Sequence, residues 1–301
     1  MCRIIFLLLV CIIMCTNKVY AKDIRLAFVG DISSQDVRVS LDLEEMLSQE
    51  DILLFGNLET VVSSTELKGS KCLENSKNCF AFIVDESITK RLKDLGFDFL
   101  STANNHMLDF GQEGLTTTYS SLDRNKLLYS GFGKGYSSYI HEYNKICFTA
   151  FSTNKGYNNI IDVQESAQFI FRLKNKEKCD FLVVSFHGGC EGKNYAHVPN
   201  KEEFCYNENR GDVKKFSYAA IDNGADIVFG HGPHVLRPTE KYKEKYIFYS
   251  LGNFSVNSRT RTDGSLGQSL IIQGTLQSNL NFNLLSSIPI EIVNGITKIK
   301  K

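Results

Sequence analysis

Short apolar runs rich in β-branched residues and phenylalanine recur along the chain and read as buried strands. They cover Ile24–Val29, Ile52–Phe55, Phe80–Val84, Phe97–Leu100, Ile146–Phe151, Phe181–Phe186, Ile227–Phe229 and Tyr246–Tyr249. Between them the apolar positions take helical spacing. Val37–Leu47 carries apolar residues at 37, 39, 41, 43, 46 and 47. Ser87–Leu95 puts Ile88, Leu92 and Leu95 on one face and stops at Gly96, a residue suited to closing a helix. Gln112–Leu122 and Asp212–Ile221 follow the same pattern, the second ending at Asn223-Gly224. This alternation predicts an α/β fold, a largely parallel sheet with helices on its faces. From Gln268 the pattern changes to Leu270–Leu276, Leu280–Leu285 and Ile288–Val293, which predicts a closing antiparallel meander. Gly69–Asn78 is polar and reads as a surface insertion. Gly131-Phe132-Gly133-Lys134-Gly135 fits neither phosphate-loop spacing and reads as a flexible connection between strands.

The N-terminus stands apart. Arg3 precedes an apolar run from Ile4 to Cys15, and Val19-Tyr20-Ala21 supplies a small-residue cleavage pattern. Residues 1–21 therefore read as a signal peptide cut after Ala21, with an uncleaved membrane anchor as the alternative. The run is short for a span, which needs about 20 residues. The expected location is exported: periplasmic, secreted or at the cell surface. Residues 22–301 read as one domain, since the chain has four prolines and no long Pro/Gly/Ser stretch.

Cysteine use agrees with export. Six of the nine cysteines lie outside the leader, an even number that suggests disulfides in an oxidising compartment. Cys72 and Cys79 are natural partners, Cys190 and Cys205 bracket an irregular segment, and Cys147 and Cys179 read as buried free thiols. The absence of any C-x-x-C pair argues against a zinc ribbon. With 34 basic and 34 acidic residues the formal net charge is zero, which argues against nucleic acid as a main partner.

The candidate chemistry lies in where polar residues fall. Five predicted strands each end in metal-type ligands: Gly30-Asp31, Gly56-Asn57-Leu58-Glu59, Asn104-Asn105-His106 with Asp109, His187-Gly188-Gly189-Cys190-Glu191, and Gly230-His231-Gly232-Pro233-His234. Ligands of open α/β sheets bind outside the carboxyl ends of strands, so these residues can converge on one rim. Carboxylate, amide oxygen and imidazole suit divalent first-row metals without thiolate. Two such ions can bind a phosphoryl oxygen and activate a water near neutral pH. The adjacent glycines are expected to let the backbone turn sharply beneath the ions. His141 and His197 fall outside these segments and read as surface or loop residues.

With these motifs in this order, and with Ser250-Leu251-Gly252-Asn253-Phe254 after them, the chain resembles the CapA family of capsule and poly-γ-glutamate biosynthesis proteins, within the calcineurin-like metallophosphoesterases. The resemblance runs from about residue 24 to residue 256. It implies a layered α/β sandwich and one or two divalent ions (Mn, Zn, Fe or Mg). Asp31 and His234 would serve the first ion, Glu59 would bridge, and Asn105, His187 and His231 would serve the second. His106, with Asp109, would act on the reacting group. Asn57, Asn104, Glu191 and Asn253 would support ligands or face substrate. The implied function is a metal-dependent hydrolase or accessory acting on a cell-surface polymer. The implied partners are an anionic polymer or phosphoester and a membrane synthase complex. The alternatives are a non-catalytic subunit of that synthase and a phosphoesterase of small nucleotides. The chain departs from the superfamily's Asp-x-His motif, since Ile32-Ser33 follows Asp31, and it carries Glu59 where the superfamily has a bridging Asp. Gly188 and Gly192 replace aromatic residues of the family's pattern.

Overall fold

The computed structural model describes residues 22–72, 79–154, 158–257 and 260–301. The expected signal peptide, 1–21, lies outside the described residues, as do residues 73–78 of the expected insertion. Among the described residues no helix is long and apolar enough to cross a membrane.

Two sheets pack face to face. In the first, Ile24–Ile32 sits centrally, with Ile52–Leu58, Phe97–Ser101 and Leu128–Ser130 parallel to one side. On its other side run antiparallel Gln268–Leu276, Phe282–Val293 and Ile296–Ile299. In the second sheet Asn144–Ser152, Phe181–His187, Ile227–His231 and Lys245–Phe248 are parallel neighbours, edged by antiparallel Ser137–His141 and Thr239–Tyr242. Helices α1 (Leu41–Leu47), α2 (Ser87–Asp94) and α3 (Gly111–Arg124) contribute to the core on the outer face of the first sheet. Helices α4 (Val163–Asn175) and α5 (Val213–Asp222) do the same for the second. The expected layered α/β sandwich of largely parallel strands with closing antiparallel ones is present, its strands divided between two sheets with helices outside both.

Alternation across each strand explains the unbroken apolar runs. Leu26 and Phe28 point between the sheets, whereas Ala27 and Val29 point under the helices. A strand covered on both faces has no solvent side to make polar. Phenylalanines tie the sheets together. Phe28, Phe55 and Phe99 hold equivalent places on neighbouring strands, with ring centroids 4.9 and 4.7 Å apart. Phe229 and Phe148 of the second sheet reach across to Phe28 and Phe55 at 5.0 and 5.7 Å. These spacings lie in the favourable range for aromatic pairs.

Several expectations change. Within Val37–Leu47 the helix begins only at Leu41, because Arg38–Val39 pairs with Ile296 and Thr297 at the sheet edge. Of Phe80–Val84 only Ile83–Val84 is strand. Leu280–Leu285 and Ile288–Val293 belong to one continuous strand from Phe282, since Ser286 and Ser287 keep their pairing with Gln273 and Ile272. Helix α4 has no counterpart in the hydrophobic reading. Its capping Asp162 accepts a bond from the Glu165 N–H at 2.9 Å, but Phe171 on its surface blurs the apolar stripe. Cys147 and Cys179 are not free thiols but a disulfide with Cα atoms 5.6 Å apart. The parallel pairing of Ile146 with Phe181 brings them together, which their sequence separation of 32 concealed. Cys72–Cys79 and Cys190–Cys205 pair as well.

Replacing both Cys147 and Cys179 by Ala removes a crosslink over 32 residues, so chemical denaturation is expected to show a loss of about 3 to 4 kcal/mol. Thiol titration of the denatured, unreduced chain 22–301 is expected to find no free thiol. A full pair of titratable thiols would contradict this disulfide.

Candidate metal centre

Strand register places the ligands. Asp31 pairs with Asn57 on one side and with Asn253, the first residue of the short strand Asn253–Ser255, on the other, so three polar side chains stand at one level. In the second sheet His187 pairs with His231. Face-to-face packing then brings the two rims together. The His231 Nδ1 lies 2.9 Å from Asp31 Oδ1, and the His187 Nε2 lies 2.9 Å from Glu59 Oε1. His234 stands between the carboxylates, Nδ1 3.1 Å from Asp31 Oδ2 and Nε2 3.8 Å from Glu59 Oε1. Asp31, Glu59 and His234 each offer a ligand atom within 4.8 Å of the others. His231 therefore lies on the Asp31 side of the cluster in this structure.

Amides frame the carboxylates. The Asn57 amide donates to Asp31 Oδ1 at 2.8 Å, and Asn104 donates to Asn57 Oδ1 at 3.1 Å and to the Leu58 carbonyl at 2.9 Å. Asn104 Oδ1 accepts from the His106 backbone N–H at 3.1 Å. Asn253 Oδ1 sits 3.1 Å from His234 Nδ1, while its amide donates to the carbonyls of His234 and Leu266. Its neighbour Phe254 is fully buried against Phe97, so the Ser250–Phe254 segment serves both core and site. His234 is held at φ 57°, a left-handed conformation uncommon outside glycine. The glycines act differently from expectation. Gly30 lies inside a strand, where a Cβ would come within 1.9 Å of the Gly252 carbonyl oxygen, so it permits close approach rather than a turn. Gly232, at φ 108°, does make a turn between the two histidines.

His106 pairs through Nδ1 with Asp109 Oδ2 at 2.7 Å. Glu191 accepts from Arg210 at 2.9 Å, and Arg210 also donates to the Gly189 carbonyl at 3.1 Å. Glu203 grips Arg237 through both oxygens at 2.8 Å and accepts from the Cys190 N–H. With the Cys190–Cys205 disulfide these bonds fix the segment between Gly189 and Gly211 beside the cluster. Lys71, Phe82, Arg210 and Arg237 were not singled out in the sequence. None belongs to a motif: Lys71, Arg210 and Arg237 sit in irregular segments, and Phe82 lies in the run Phe80–Val84, which reads as a strand rather than as part of a site. His197 is exposed, and His141 is half-buried against the Lys22 carbonyl, both away from the cluster's contacts.

The electrostatics are those of a ligand set. Burial would push Asp31 up, but His231 and His234 beside it hold its carboxyl well below the usual range. Burial pushes Glu59 up to about 7. Burial, helped by the Arg210 charge, holds His187 well below its ordinary value, which leaves a neutral imidazole. His234 goes the other way: burial lowers it, yet the Glu59 charge and then Asp31 raise it to about 10. Glu191, which burial would raise, is lowered by Arg210.

Buried polar atoms normally find partners. Here Asp31 Oδ2, Asn105 Oδ1, His187 Nδ1 and both ring nitrogens of His231 are buried without an aligned hydrogen bond. Asp31 and His231 are within ion-pair distance but not in hydrogen-bond geometry. All five atoms belong to residues of the sequence-derived ligand set. Oxygen and imidazole donors of this kind fit a hard or borderline divalent cation.

The profile of the family described as "Bacterial capsule synthesis protein PGA_cap" matches residues 25–258. The chain is 31% identical over 204 residues to the PGA biosynthesis protein CapA of Bacillus subtilis (strain 168), covering 62% of this chain and 50% of that protein. It is 29% identical over 262 residues to the capsule biosynthesis protein CapA of Bacillus anthracis, covering 81% and 59%. The chain thus spans about half the length of these relatives. Among solved structures, a putative 5′-nucleotidase from Staphylococcus aureus in complex with alpha-ketoglutarate aligns with a TM-score of 0.54 at 13% identity, covering 91% of this chain and 55% of that one. That likeness shows a shared fold, the metallophosphoesterase sandwich. With the family match covering most of its length, the chain belongs to the bacterial capsule synthesis (PGA_cap) family, in which CapA is found.

Proposed function

We propose that this protein is an exported, metal-dependent hydrolase that works in the synthesis or processing of a cell-surface polymer such as poly-γ-glutamate or capsule. One observation carries the reading: five buried ligand atoms, on or just beyond strand ends of both sheets, lack an aligned hydrogen bond. Three disulfides and the apolar N-terminal run support export.

Asp31, Glu59, Asn105, His187, His231 and His234 would hold one or two divalent ions. Such an ion, when bound, polarises the scissile ester or amide and activates water. The chain's own side chains do the rest. Asp109 holds His106 Nδ1, so Nε2 is the nitrogen left to face the reacting group, where it would take a proton from the attacking water and pass it to the leaving oxygen. Asn57 and Asn253 orient Asp31 and His234. The Glu191–Arg210 pair offers one negative and one positive group at the cluster's edge, where a substrate would arrive.

A second reading, a non-catalytic subunit of a membrane polymer synthase, is favoured by Ser33. It stands where the superfamily has an imidazole, and its backbone N–H is spent on the Ser255 carbonyl. Full polymer output in cells carrying His106→Ala would support that reading over hydrolysis.

Elemental analysis after loading with Mn²⁺ or Zn²⁺ and desalting is expected to find bound metal in the wild type. Asp31→Asn and Glu59→Gln are expected to weaken retention by about 10- to 100-fold or more. A wild type that takes up no metal would remove the proposal. His106→Gln should keep its metal and lose hydrolysis of a generic phosphodiester or of poly-γ-glutamate by about 100-fold or more.

Metal uptake is also expected to depend on pH. A carboxyl with a pKa of about 7 is mainly protonated below that pH, and an ion needs the carboxylate. His234, at about 10, carries a proton at neutral pH that an ion must displace. Affinity should therefore rise from about pH 6 to about pH 8, with proton release. Calorimetry in buffers of differing ionisation heat measures both, and affinity that falls over this range would contradict the assignment.

A further inference from the structure

The segment between Thr60 and Val84 contributes two residues to His106 that no motif announces. Lys71 Nζ lies 2.6 Å from Asp109 Oδ1 and 3.3 Å from the Asn105 carbonyl. The Lys71 backbone N–H donates to the Asp109 carbonyl at 2.8 Å. On the returning arm, the Phe82 N–H donates to Asp109 Oδ2 at 2.7 Å, and the Phe82 ring stacks on the His106 imidazole at 4.2 Å. Both arms are tied down. Val61 and Val62 pair in parallel with Ile83 and Val84, and the Cys72–Cys79 disulfide joins the arms with Cα atoms 5.5 Å apart.

We propose that Lys71 and Phe82 form a disulfide-closed clamp that fixes His106 in one orientation and one tautomer, with Nδ1 bonded to Asp109 and Nε2 free. The geometry gives each group a separate task. Asp109 is fully buried and must have its charge compensated. Lys71 supplies the counter-charge at Oδ1, which leaves Oδ2 for the imidazole and the Phe82 N–H. Lys71 also lies 3.4 Å from His106 Nδ1. An ammonium only donates and could pair only with an unprotonated Nδ1, so it is the shorter 2.7 Å contact to the Asp109 carboxylate, held in place by Lys71, that keeps the proton on Nδ1. Stacking by Phe82 blocks one face of the ring and resists its rotation. No hydrogen bond engages His106 Nε2 among the described residues, and the side chain retains 10% exposure. Lys71 and Phe82 are therefore positioning residues that act through His106.

The inference rests on the hydrolase reading only for its catalytic consequence, and the two can be tested apart. Nitrogen-15 spectra of the metal-free, histidine-labelled protein, with His106 assigned by substitution, are expected to show a single Nδ1–H tautomer. In Lys71→Met the resonance should move toward the average of two tautomers, and Lys71→Arg should restore it. In turnover of a generic phosphodiester with Mn²⁺, Lys71→Met should lower kcat by about 10- to 100-fold with KM and metal content unchanged, and Lys71→Arg should recover most of the loss. Reducing the disulfide through Cys72→Ser with Cys79→Ser should give the same spectral change in weaker form. A His106 spectrum unaltered by Lys71→Met overturns the clamp. Tautomer loss in a protein whose wild type shows no turnover upholds the clamp and removes hydrolysis instead.

Discussion

Phenylalanine packing between the two sheets is the contact on which the rest depends. Phe28, Phe55 and Phe99 line one inner face, and Phe148 and Phe229 line the other. Each ring lies a few residues before a polar strand end on the same strand or its neighbour: Phe28 before Asp31, Phe55 before Asn57 and Glu59, Phe229 before His231. Locking the rings against each other therefore sets how closely the two rims approach. A shift of one sheet over the other would separate Glu59 from His187 and Asp31 from His231, because each pair draws one member from each sheet.

That approach creates an electrostatic problem which shapes the rim. Two buried carboxylates sit among three imidazoles, and charge in such a place is costly unless it is compensated. Without a cation the cluster compensates itself. His234 takes a proton and Asp31 stays ionised, while Glu59 is pushed up to about 7 and His187 is held neutral. The solution is incomplete, since five donor or acceptor atoms remain without aligned partners. A divalent cation would satisfy oxygen and nitrogen lone pairs that the neighbouring side chains approach without aligned hydrogen bonds.

Around the cluster the walls are segments outside the two main sheets, held by crosslinks and by short two-residue strand pairs. Cys72–Cys79 closes one beside His106, and Cys190–Cys205 closes the other beside Glu191 and Arg210. Each is further pinned by an ion pair, half-exposed Lys71 with buried Asp109 and buried Arg237 with buried Glu203. Loops without a regular hydrogen-bond ladder need such ties if their side chains are to stay within a fraction of an ångström of a reacting group.

The sequence by itself determined most of the central strands, the polar residues at their ends and the order of the motifs. Strand ends are local: an apolar run, then Gly-Asp or Gly-His, marks where apolar side chains give way to polar ones, which the fold buries as well. It also determined family membership, since the motifs from Gly30-Asp31 to Asn253-Phe254 lie in one order. Tertiary structure alone decided that the strands divide into two sheets, because hydrophobic runs buried on both faces look the same in one sheet or two. It decided the Cys147–Cys179 bond, which depends on which strands become neighbours. It decided, too, that His231 faces Asp31, that Gly30 serves a close approach, and that Lys71, Phe82 and Arg210 belong to the site. The physical reason is common to all of them. Periodicity reports what a residue's own segment buries, whereas these contacts join segments far apart in the chain, and nothing in either segment encodes the other's address.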